Sequence, residues 1–62
     1  MTIIKSIETN GFKIWIEQHN EFFILKHQEN GKEVEALNAI QNLSLVLDFF
    51  DTLVGKKYLR AN

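Results

Sequence analysis

The longest regular pattern in the chain runs from Asn38 to Val54, where Ile40, Leu43, Val46, Leu47, Phe49, Phe50, Leu53 and Val54 recur at spacings of three and four. At about 100° per residue these side chains cover roughly half of a helix circumference. Gln41, Ser44, Asp48, Asp51 and Thr52 fill the other half. Asn38 has the character of an N-cap, with Gln41 at the spacing that satisfies orphaned amide groups. Gly55 stands where a left-handed C′ residue ends a helix, and Lys56 and Lys57 follow at its negative end. The pattern therefore predicts one helix, Asn38 to Val54, with an apolar face wide enough to lie on a sheet.

Upstream the period changes to two. Ile3 to Thr9 alternates and ends at Asn10-Gly11, a strong signal for a two-residue hairpin turn, and Phe12 to Gln18 alternates again. This pairing sets Ile7 opposite Ile14 and Glu8 opposite Lys13, matching like with like and opposite charges. A turn at His19-Asn20 leads to a third strand, Glu21 to Gln28, with Ile16 expected opposite Phe23 and Ile14 opposite Leu25. Asn30-Gly31 repeats the hairpin signal. A short strand, Lys32 to Ala36, then sets Val34 opposite His27 and Glu35 opposite Lys26. The predicted fold is α+β: a four-stranded antiparallel meander in the order 1-2-3-4 with one C-terminal helix packed on one face. It forms a single domain over residues 1–62. Ile7, Phe12, Ile14, Ile16, Phe23, Leu25 and Val34 are expected to face the helix. Whether the helix continues past Gly55 is left open by the tail.

One helix cannot cover both faces of a sheet. The face it leaves carries Ile4, Ser6, Glu8, Lys13, Trp15, Glu17, Phe22, Ile24, Lys26, Glu33 and Glu35. Among these, Ile4, Trp15, Phe22 and Ile24 form an aromatic and aliphatic cluster of the size and type that marks a contact site. Coverage by Tyr58 or Leu59 of the tail is the intramolecular alternative. Glu8, Lys13, Lys26 and Glu35 form a cross-strand charge row. Of the two edges, strand four is short and charged. Strand one carries an inward-pointing Lys5, and both features oppose edge-to-edge pairing.

Composition narrows the classes of function. A chain of 62 residues with 45% apolar content is globular, but buries only about 60% of the surface its unfolded form exposes. Self-association is a common supplement at this size. The absence of Cys removes disulfides and thiolate metal sites. No apolar run approaches the ~18 residues of a membrane span, and no signal-peptide pattern opens the chain, so a cytoplasmic protein is expected. The 7 basic and 8 acidic residues exert no global pull toward nucleic acid.

Candidate chemistry is sparse. His19 falls in a turn and His27 on the core face, so neither a shared metal nor a cofactor is expected. Glu8 and Glu17 share a face without a cleft, and no nucleotide or phosphate-loop motif is present. The expectation is a non-catalytic protein-interaction module, an adaptor, inhibitor or regulatory protein. It would bind a protein partner or a second copy through Ile4, Trp15, Phe22 and Ile24. A second reading makes the same face a stacking platform for single-stranded nucleic acid, with Lys13, Lys26, Lys56, Lys57 and Arg60 contacting phosphates. The order of four strands and then a helix resembles, in topology, small dimeric single-strand-binding coactivator domains. Against that reading stand Glu8, Glu17, Glu33 and Glu35, which repel phosphate.

Overall fold

Three two-residue hairpin turns set the sheet. The computed structural model describes residues 1–9 and 11–56. In chain order it has β1 (Thr2–Thr9), β2 (Phe12–His19), β3 (Phe22–Glu29), β4 (Lys32–Ile40) and α1 (Leu43–Val54). The sheet is antiparallel in the order β1-β2-β3-β4. Asn30 and Gly31 both have positive φ, 53° and 82°, as a turn matched to the strand twist requires. Gly11, at φ 79°, sits in the first turn, and its carbonyl accepts the Asn30 N–H at 3.1 Å. The β1–β2 and β3–β4 turns are thus tied together at one end of the sheet. Asn10 lies outside the described residues.

The middle hairpin differs from expectation. Its turn is Asn20-Glu21, one residue later, with Asn20 at φ 57°. Ile16 therefore pairs with Leu25 and Ile14 with His27. Because this register differs by two residues, every side chain keeps its face. Ile7 opposite Ile14, Glu8 opposite Lys13, Val34 opposite His27 and Glu35 opposite Lys26 are found as predicted.

The larger correction concerns the junction with the helix. β4 runs to Ile40, and α1 begins at Leu43 with Asn42, not Asn38, as its N-cap. The Asn42 side chain accepts the Leu45 N–H at 3.1 Å. Register breaks on either side of Leu37 allow Val34, Leu37 and Ile40 all to face the helix, opposite His27, Leu25 and Phe23. In a regular strand that spacing would alternate. The bulged strand thus imitates the helical period, which is why the sequence pattern extends the helix back to Asn38. The geometry has a cost: Ala39 sits at φ 58°, a left-handed conformation that disfavours a Cβ by roughly 1–2 kcal/mol. β4 is therefore neither short nor charged throughout, and its bulges are what guard this edge. At the far end of α1, Gly55 is right-handed, φ −60°, and its N–H reaches the carbonyls of Asp51 and Thr52. The expected left-handed stop is not formed there.

The helix lies over β2, β3 and β4. Phe12, Ile14, Ile16, Phe23 and Leu25 meet Val46 and Phe50 in a dry core. Ile7, Leu37, Ile40, Leu47, Leu53 and Val54 pack around it. Val34 on the edge strand β4 is exposed, as are Leu43 and Phe49 on the helix, so the expected placement of Val34 in the helix-covered core is not met. Truncating Phe50, which is fully buried, to Ala would cost about 3–5 kcal/mol. Lys5 reaches from β1 toward the helix, 3.6 Å from Asp51 and 4.9 Å from the centre of the Phe50 ring, so the inward lysine also shields the open side of the core. Among the described residues, no helix is long and apolar enough to cross a membrane.

His27 faces the core beside Phe12, with ring centroids 6.2 Å apart. Among the described residues its Nδ1 is buried without a hydrogen-bond partner, an arrangement that penalises folding. Replacing it by an apolar side chain of similar size removes that penalty. His27→Leu is expected to raise the stability measured by urea unfolding by about 1 kcal/mol; a loss of stability would show that the ring nitrogen is satisfied in solution.

Candidate interaction surface

The sheet face without a helix is built from alternate residues of β2 and β3. Lys13, Trp15, Glu17 and His19 point outward from β2, opposite Gln28, Lys26, Ile24 and Phe22 of β3. A bulge in β1 at Ile4 shifts the pairing, so Ile3 stands opposite Glu17 while Lys5 stands opposite Ile16. The bulge brings Ile3 to this face together with Ile4. The result is a surface with two unlike ends. At the end near the Asn20-Glu21 turn, Ile3 and Ile4 of β1 and Phe22 and Ile24 of β3 lie on either side of Glu17 and His19. Glu8, Lys13, Gln28 and Glu33 occupy the other end, where a shallow depression of about 160 Å³ opens beside the glycine turns.

Within the first end, level with Ile3 on one side and Ile24 on the other, lies a buried carboxylate. Glu17 is only 7% exposed. Its Oε2 accepts the Trp15 Nε1–H at 2.8 Å and lies 3.3 Å from Lys26 Nζ. Its Oε1 is 2.8 Å from His19 Nε2. The Trp15 and His19 hydrogen bonds, followed by the Lys26 ammonium, outweigh desolvation and hold the Glu17 pKa down from 4.5 to about 2. The group is therefore ionised at neutral pH and can only accept, so His19 presents its proton on Nε2. Lys26 also lies 3.3 Å from Glu33. That contact and the one with Glu17 raise the Lys26 pKa against desolvation. Three strands are thereby joined through one ammonium group.

These contacts redistribute the candidate residues. Ile4 and Phe22 are exposed at 38% and 41%, with Ile3 at 46%, and Ile24 is half-buried. Trp15 is only 8% exposed. Lys13 lies over its ring, 5.3 Å from the centroid, so Trp15 forms the floor of the surface rather than a protruding anchor. Lys26 sits in the expected charge row opposite Glu35, yet its close ion pairs are with Glu17 and Glu33. Glu35 instead accepts from the Asn38 side chain. Lys56 is exposed beyond α1, whereas Lys57 and Arg60, like the tail residues Tyr58 and Leu59, lie outside the described residues. Among the described residues no group of three or more His, Cys, Asp or Glu gathers as a metal site.

Sequence reasoning treated Glu17 as a solvated carboxylate and His19 as a turn residue. One signal was available: carried one residue further, β2 places Trp15, Glu17 and His19 on the same face, an indole N–H and an imidazole flanking a carboxylate.

Because the Glu17 pKa is lowered on folding, the unfolded chain binds the proton more readily. The stabilisation is complete above about 4.5 and is lost as the pH falls toward about 2. Glu17→Gln is expected to lower stability at neutral pH by roughly 1–3 kcal/mol, and the gap between variant and wild type should close through that acid window. Thermal melts across the pH range check this; a gap independent of pH would contradict the network. No protein-family model matches this chain, and neither does any curated protein or solved structure.

Proposed function

We propose that the chain is a non-catalytic protein-interaction module that docks through the apolar end of its open sheet face, with a second copy of itself as the first partner. The observation that carries this reading is the exposure of Ile3, Ile4 and Phe22 at one end of a sheet face on which, among the described residues, no helix packs; Ile3 and Ile4 on β1 and Phe22 on β3 flank Glu17 and His19 of β2. Such a patch on a small domain favours contact with another surface. Beside it, Trp15 and Lys26 are both tied to Glu17, and side chains already held in place lower the ordering cost of docking. The surrounding charges carry both signs, Lys13 and Lys26 against Glu8, Glu33 and Glu35, so two copies approach without a field of one sign. A carboxylate held ionised by hydrogen bonds from its neighbours is a poor proton donor at neutral pH, which favours binding over acid–base catalysis.

Single-strand binding on this face is less well supported: Lys13 covers Trp15, which leaves Phe22 as the exposed ring for a base to stack on, and Glu8, Glu33 and Glu35 repel phosphate.

Phe22→Glu tests the proposal without disturbing the core, because the side chain is exposed. Sedimentation equilibrium should show a wild-type dimer and a Phe22→Glu monomer with unchanged circular dichroism, the dimer dissociation constant rising at least about tenfold. A wild type that stays monomeric at high concentration would overturn self-association, and a dimer indifferent to Phe22→Glu would overturn the assignment of the surface.

A further inference from the structure

The junction between β4 and α1 carries two incompatible sets of signals. Leu37, Ile40, Leu43, Leu47 and Phe50 follow a helical period, and Asn38 with Gln41 has capping-box spacing. In the structure, however, residues up to Ile40 are strand. The strand reaches that far only through register breaks around Leu37 and a left-handed Ala39, φ 58°. Ala36, Asn38, Ala39, Gln41 and Asn42 are exposed, while Leu37 and Ile40 are half-buried. Local preference and tertiary structure thus disagree over one short, lightly buried, strained segment, and such disagreements mark bistable elements.

We propose that residues 36–42 form a strand-to-helix switch. In the major state β4 runs to Ile40 and Asn42 caps α1. In the minor state β4 ends near Glu35, Asn38 becomes the cap, and α1 gains a turn at its N-terminus. Ile40 then falls in line with Leu43 and Leu47 at positions i, i+3 and i+7, so it still faces the sheet. Ala39 leaves its left-handed conformation for a helical one, where alanine is the most favoured residue. The pairings of Phe23 with Ile40 and Leu25 with Leu37 are given up, which keeps this state minor. Their loss frees the β3 edge from Phe23 to Leu25 for an extended strand of a protein partner. The freed edge includes Ile24, whose side chain lies on the open face opposite Glu17, so the switch and the open-face surface share that residue.

Two substitutions bias it in opposite directions. Asn42→Ala removes the acceptor of the Leu45 N–H, a cap present only in the major state, and places a good helix former inside the longer helix. The helical population should rise about tenfold. Ala39→Gly relaxes the strained strand and weakens the helix, lowering that population about tenfold or more. Chemical-exchange saturation transfer NMR on wild type and both variants reads the result. The expected finding is a minor state with helical carbon shifts at residues 39–42, its population ordered Asn42→Ala, wild type, Ala39→Gly. Coil-like minor-state shifts, a different order, or no minor state in folded Asn42→Ala would overturn the proposal. If Asn42→Ala does not fold, amide exchange in Ala39→Gly decides: slowing of about tenfold at residues 37–40 supports the switch, and unchanged or faster exchange overturns it.

Discussion

A single 12-residue helix must close a core for a sheet of four strands, and most of the molecule follows from that constraint. Such a helix is about 18 Å long, and four strands span roughly 14 Å. One sheet face can therefore be made dry around Val46 and Phe50. Among the described residues the other face is covered by its own side chains. It is finished around Glu17, whose charge is met by Trp15, His19 and Lys26. A buried carboxylate without those donors would be strongly destabilising; with them, it links β2 to β3 and, through Lys26 and Glu33, to β4.

The same constraint explains where apolar surface remains. The helix reaches β2, β3 and β4, and Lys5 extends over the side nearest β1 by meeting Asp51 and the Phe50 ring. On the open face the Glu17 network buries Trp15 but does not extend to Ile3, Ile4 or Phe22. The bulge at Ile4 brings Ile3 to the same face as Ile4, at the end of the sheet where Phe22 lies on β3. The fold thereby sets apart a charged end from an end where Ile3, Ile4 and Phe22 are exposed, the surface proposed to meet another molecule.

Much of this was legible in the sequence. The strand order, the faces of Phe12, Ile14, Ile16, Phe23 and Leu25, and the packing of one C-terminal helix follow from periodicity and turn residues, whose signals reinforce one another. The boundary at Ile40 did not, because bulges in β4 give Val34, Leu37 and Ile40 a helical spacing within a strand. The middle turn was misplaced by one residue, with His19 assigned to it, because Asn20 takes the left-handed position and no glycine marks the site. The open face was legible as a surface, including Ile4, Phe22 and Ile24. The burial of Trp15 was not, since it depends on Lys13 and Glu17 folding over and beside the indole. Ile3 was missed because a bulge is invisible to strict alternation.

The central claim is that the apolar end of the open face, and not the exposed helix flank at Leu45 and Phe49, is where this chain meets a partner. The most direct measurement is an NMR dilution series of the wild-type protein, following backbone amides from high to low concentration. The account predicts shifts that saturate with association and cluster at Ile3, Ile4, Phe22 and Ile24, leaving Leu45 and Phe49 unchanged. Shifts confined to the helix flank, or a spectrum independent of concentration, would contradict it.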